Sequence, residues 1–169
     1  MKITRMHGGN RLILGVSIID ARMKQIEEEK RLHQERNTLG RIAALSPDYI
    51  VLYTVDPETG HYTQYSPSNE FEKLGLARQG DDFFADVILD APKAIAPEDI
   101  KGHLRVLTKE NMLSEIRKNG FFTHHYRMTM NGKYVPASLK ATLVEEKDGK
   151  KIILGVTNDE NVEIRRKLE

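Results

Sequence analysis

A histidine stands in the middle of an alternating run. Phe122, His124, Tyr126, Met128 and Met130 fall on one face of an extended segment, with His125 and Arg127 on the other. An imidazole among aromatic rings can take a proton, ligate a haem iron or hydrogen-bond a pocket ligand. The plainer alternative is a core-edge histidine satisfied by a backbone carbonyl. His103 falls in a helical stretch between Lys101 and Arg105, which argue for an exposed position. Asp56, Asp81 and Asp82 are the carboxylates at turn positions and read as turn and cap residues rather than catalysts. No Ser-His-Asp or Cys-His order presents itself, and Gly75, Gly80 and Gly102 lack the strand-loop-helix spacing of a phosphate loop. The absence of cysteine removes thiolate metal sites, cysteine nucleophiles, disulfides and thiol-flavin adducts. Neither haem nor flavin is expected, and no metal. Tyr53, Tyr65, Phe83, Phe84, Ile88, Leu104 and Leu107 are able, with His124 and Tyr126, to line a cavity, and equally able to fill a core.

The elements that must position these residues follow from periodicity and punctuation. From Asp20 to Leu45 there is no proline and no glycine before Gly40, and the composition is that of a long helix with Asp20 placed to cap it. Ile19, Met23, Ile26 and then Leu32, Leu39 and Ile42 recur near heptad spacing, with a phase break after Ile26, as in a two-stranded coiled coil or a solvated helix packed on its own domain. After Ser46-Pro47-Asp48, the segments 49–55 and 61–66 form a hairpin around Asp56-Pro57-Glu58-Thr59-Gly60. Short helices and loops occupy 69–99, interrupted by Gly80, Pro92 and Pro97. A longer helix opens at Pro97-Glu98-Asp99 and runs to Asn119-Gly120, with a kink or restart near Thr108. Segments 121–130, 133–145 and 151–157, joined by Asn131-Gly132 and Asp148-Gly149, make a three-stranded meander. The sum is an α+β domain of about 110 residues.

One internal echo bears on organisation. Ile13-Leu14-Gly15-Val16 recurs as Ile153-Leu154-Gly155-Val156, each copy preceded by a glycine-containing turn and followed by a charged helical stretch. The echo predicts that residues 1–20 are a hairpin ending an upstream repeat, that 21–46 are a connecting helix, that 47–159 are one complete unit, and that 160–169 begin an outgoing helix. The chain of 169 residues, 39% hydrophobic and 30% charged, carries 26 basic and 25 acidic side chains for a net charge of +1. That balance offers no long-range field to nucleic acid. No apolar stretch suits a membrane span or a secretory signal, so a cytoplasmic address is expected.

Four motifs in this order resemble those of a PAS domain of the PAC-motif subgroup, over residues 47 to 159. Ala96-Pro97-Glu98-Asp99 is similar to the opening of that family's long helix. Gly120 with Tyr126-Arg127-Met128 resembles its third strand, Asn131-Gly132 its hairpin, and Leu154-Gly155 with Asp159 its closing motif before a signalling helix. The sequence departs from the pattern at Ala96, where histidine is common, and at Asn158-Asp159-Glu160, where Asp-Ile-Thr is commoner. The resemblance implies a five-stranded antiparallel sheet in the order 2-1-5-4-3 with small helices on one face. It implies a non-catalytic sensory and dimerisation module of a bacterial signalling protein, histidine kinase or diguanylate cyclase in type. The partners implied are a second copy, an upstream PAS repeat and a downstream output domain, with Asp20 and Asp159 as relay residues. Two rival expectations stand beside it: an interaction spacer with a filled core, and a small α+β enzyme using His124 with an acidic partner.

Overall fold

The computed structural model describes the backbone of residues 6–147 and 149–160, with side chains described from residue 18 onward. The chain divides into two compact units, one ending at Glu35 and the other beginning at Arg36.

The first unit is helical. Helix α1 runs Met6–Ala43, and its final turns belong to the second unit. Residues 6–20 therefore differ from the hairpin predicted for them. The first Ile-Leu-Gly-Val copy lies in a helix and the second in a strand, so the two stretches are not repeats of one structural unit. No proline interrupts the helix, and the apolar run around Ile13 has no period of two to favour a strand. Asp20 consequently lies inside α1 rather than capping it, paired with Lys24 one turn on at 3.7 Å.

The second unit is α+β. Strands β1 (Tyr49–Val55), β2 (Tyr62–Tyr65), β3 (Gln79–Gly80), β4 (Phe122–Met130), β5 (Lys133–Glu146) and β6 (Gly149–Asn158) form one antiparallel sheet in the order β3-β2-β1-β6-β5-β4. Without β3 this is the expected five-stranded order. The added strand is only two residues, paired to Tyr62 and Thr63. Helices α2 (Asn69–Glu72), α3 (Phe83–Ala94), α4 (Pro97–Val106) and α5 (Lys109–Asn119) complete the unit. Their starts follow local chemistry. Ser68, Asp82 and Thr108 each accept a hydrogen bond from the backbone N–H three residues on, and Gly120 ends α5 in the left-handed region at φ 85°. The predicted restart near Thr108 is that cap.

Alternation sorts the sheet into two faces. Val51, Tyr126, Met128, Leu139, Leu154 and Val156 point to one side and pack with Phe71, Phe83, Ala91, Leu107 and Met112 from the short helices. Leu52, between Val51 and Tyr53, points to the other side, where Leu39 and Ala43 from the end of α1 cover it. Gly155 lies opposite Leu52 in the β1–β6 register, and a Cβ there would stand 3.0 Å from the Tyr49 ring, so glycine leaves room for that ring to cover the strand.

Edge strand β4 is covered by the chain that opens α4. Ile95 bridges to Met128, and Ala96 N–H donates to the Arg127 carbonyl at 3.0 Å. In return the Arg127 backbone N–H donates to Asp99 Oδ2 at 2.9 Å. The guanidinium grips the same carboxylate through Nε at 3.0 Å and Nη2 at 3.1 Å, and reaches Glu98 at 2.9 Å. Arg127 holds the Asp99 carboxyl below the usual carboxylate range, chiefly through its side-chain hydrogen bonds. The Pro-Glu-Asp helix opening and the Tyr-Arg-Met strand, read as separate motifs, are two halves of one clamp.

Candidate functional site

A cavity of about 70 Å³ lies between the sheet and the short helices. Its walls come from β1 and β2 (Val51, Tyr53, Tyr62), from α3 (Phe83, Asp86, Asp90, Ala91), from α4 (His103) and from β4 (Tyr126, Met128). That volume admits a few waters or a small molecule.

The aromatic wall is built by register. Tyr53 and Tyr62 come from neighbouring strands, and Phe83 from the first turn of α3 packs edge-on to both, at 5.2 and 5.6 Å between ring centres. The Tyr62 hydroxyl donates to Asp86 Oδ2 at 2.7 Å. Burial, then the Asp86 carboxylate, raises the Tyr62 hydroxyl far above the ordinary phenol, and burial pushes Tyr53 up to about 12. Both stay neutral donors at physiological pH. Gly80 on β3 makes this pair achievable: a Cβ there would stand 2.5 Å from the Tyr62 ring and 2.8 Å from Asp86 Oδ2.

Of the residues named from the sequence, Tyr53, Phe83, Leu107 and Tyr126 line this cavity. Phe84, Ile88 and Leu104 lie instead on a shallow outer groove that Leu107 also borders, with Ile88 59% exposed. Tyr65 lies elsewhere, its ring against Gly40 among Leu39, Ala43 and Leu52. The reason is parity: Tyr65 pairs with Leu52, whose side points away from the cavity. Tyr62, Asp86 and Asp90 line the cavity without having been picked out. Asp86 and Asp90 are one turn apart on an amphipathic helix, and that spacing was the signal available.

His103 is the largest correction. It is 4% exposed and lines the cavity. Lys101 and Arg105 in fact argue for burial, because residues two apart on a helix point in nearly opposite directions. Its true neighbours along the helix are Asp99, Ile100, Val106 and Leu107. The His103 ring lies 4.5 Å from Tyr126 and 5.2 Å from His124, while His124 stacks on Tyr126 at 5.4 Å. Burial, with a smaller contribution from His124, lowers His103 to about 4; burial and then His125 lower His124. His103 Nδ1 and His124 Nε2 are buried and have no hydrogen-bond partner. Asp99, the acid that acts on both rings, is engaged by Arg127, and among the described residues no carboxylate is hydrogen-bonded to His124.

On the opposite face, register brings together three residues distant in sequence. His125 is paired with Ser138 across β4 and β5, and Asp159 follows β6. The Ser138 hydroxyl donates to Asp159 Oδ2, leaving its oxygen to accept from His125 Nδ1 at 2.7 Å. Through these contacts Ser138 ties His125 on β4 to the residue that follows β6. Asp159 N–H also donates to the Pro136 carbonyl at 2.9 Å, so the end of β6 is tied to β5 by backbone and side chain together. The predicted outgoing helix lies outside the described residues beyond Glu160.

Among the described residues there is no group of three His, Cys, Asp or Glu that could hold a metal, and no helix long and apolar enough to cross a membrane. No family model matches the chain, and no curated protein matches it. Among solved structures it is similar to a sensory box histidine kinase/response regulator from Burkholderia thailandensis E264. That alignment has 12% identity and a TM-score of 0.40, covering 70% of this chain and 82% of the other.

Proposed function

We propose that the second unit is a non-catalytic sensory module of the PAS type, in a signalling protein of histidine kinase or diguanylate cyclase kind. In this reading a small molecule enters the cavity and shifts the packing of the chain that leaves β6. The observation that carries it is the cavity itself, where Tyr62, Asp86, Asp90 and His103 bring polar groups to an otherwise apolar wall. A spacer with a filled core has no use for these groups at that place, and leaving them buried there costs stability. The route outward is short. Leu139 and Val156 border the cavity, and Ser138 and Thr157, their neighbours in the same strands, turn to the far face beside Asp159. A ligand that favours one packing of β5 against β6 thereby biases how Asp159 is held, and a differential affinity worth about 1 to 3 kcal/mol is enough.

The test is hydrogen exchange on the protein with and without a cavity binder found by nuclear magnetic resonance screening. The expected result is altered protection at residues 136–138 and 156–159 along with the cavity walls. A binder that protects the walls and leaves the β5–β6 end unchanged defeats the relay.

A further inference from the structure

The cavity carries charge that its own walls do not balance. Asp86 and Asp90 stand one helical turn apart on α3, half-buried, and both line it. Asp86 receives the Tyr62 hydroxyl; among the described residues none donates to Asp90, whose carboxyl is raised by burial against the opposing charge of Lys93, with a smaller push from Asp86. No lysine or arginine is among the lining residues, and His103, the basic side chain that is, stays neutral at physiological pH. His103 is 4% exposed with Nδ1 unpartnered, a buried polar atom the fold itself does not satisfy. The remaining wall is apolar and largely aliphatic, with one aromatic corner where Phe83 packs edge-on to both Tyr53 and Tyr62.

Carboxylates, a neutral imidazole and electron-rich ring faces share one preference. They favour a positively charged guest with N–H groups to donate. An anion meets two carboxylates, and a neutral guest leaves them unbalanced in a partly desolvated space. The volume of about 70 Å³ limits the guest to a few non-hydrogen atoms. We infer that the cavity binds a small organic cation, a short-chain primary ammonium, with Asp90 as counter-ion, the Tyr53–Tyr62–Phe83 corner beside it and the neutral His103 ring in the wall. The inference rests on the ligand-binding reading above and names its ligand class. Lys93 lies outside the cavity and weakens the site by its charge on Asp90.

The experiment is a heteronuclear titration of the full chain with ethylammonium, ethanol and acetate at constant ionic strength, together with xenon as a probe that needs only volume. Saturable shifts at Tyr62, Asp90 and His103 are expected with ethylammonium. Ethanol and acetate should bind at least tenfold more weakly, and Asp90→Asn should weaken ethylammonium at least tenfold. Equal binding of ethanol or acetate overturns the cationic class and leaves a ligand cavity standing, as does xenon entry without ethylammonium binding. Ethylammonium bound equally well by Asp90→Asn removes the counter-ion assignment and with it the inference. Exclusion of xenon and of every other probe overturns the cavity reading as well.

Discussion

His103 carries its burial as a pH dependence. Its folded pKa of about 4 lies below the 6.5 of the free side chain, so the unfolded chain takes up a proton first as pH falls. Stability is therefore lost between about 6.5 and about 4, by about 3 kcal/mol when fully developed. His103→Phe keeps a ring beside Tyr126 and removes the titration; urea unfolding at pH 7 and pH 5 should show a smaller loss for the variant. An equal loss in both proteins would place the ring in water. His124 is lowered for the same main reason, so part of the acid sensitivity remains. Asp99 behaves with the other sign of charge. Its carboxyl is held low by Arg127, so its contribution is complete above the ordinary carboxylate pKa and disappears as pH falls through the folded value. Asp99→Asn should be less stable than the parent at neutral pH, with the gap closing below the carboxylate range. A gap that stays constant with pH would show that the Arg127 clamp acts by shape rather than charge.

At the scale of elements, the last turns of α1 are a structural part of the second unit. Leu39 is fully buried against Leu52, and Leu39→Ala should cost about 2 to 5 kcal/mol in chemical unfolding of the sheet domain. A cost near zero would mean that the turns detach freely. The strands of this domain were legible because apolar residues alternate in β4 and β5 and because Asn131-Gly132 supplies the left-handed turn, with φ 52° and 73°. The short strand β3 was not, since two residues carry no period and owe their form to the pairing with Tyr62 and Thr63. The Ile-Leu-Gly-Val stretches show the same limit more sharply. Four apolar letters without alternation serve a helix or a strand, and the second copy is a strand because β1 and β5 flank it on both sides. In the site, aromatic residues were legible by type. Their distribution among cavity, groove and far face depended on register and on helix phase, which is why Tyr65 and His103 changed places relative to expectation.

For the whole molecule, the phase break after Ile26 acquires a physical meaning, because the apolar positions on either side of it have different environments. Leu39 and Ile42 pack in the sheet domain. Ile19, Met23 and Ile26, at spacings of four and three, are 61%, 57% and 56% exposed in the single chain. A stripe of that spacing is what a second copy of the same helix would bury, and Leu39 is already committed elsewhere, so a coiled-coil seam formed by self-pairing lies before the break. Homodimerisation through residues 18–26 is thus a proposal separable from the fold of the second unit. The double variant Met23→Lys with Ile26→Lys places charge in the seam from both copies. It should weaken dimerisation by about tenfold or more in sedimentation equilibrium. The near-ultraviolet signal of the tyrosines and the urea midpoint of the sheet domain should stay at parental values, because Tyr53, Tyr62 and Tyr126 belong to the other unit. A parent that is monomeric at all concentrations, or a variant whose dimer is as tight as the parent's, would remove the helix as the means by which two copies join. A relay from Asp159 would then have to act within one chain.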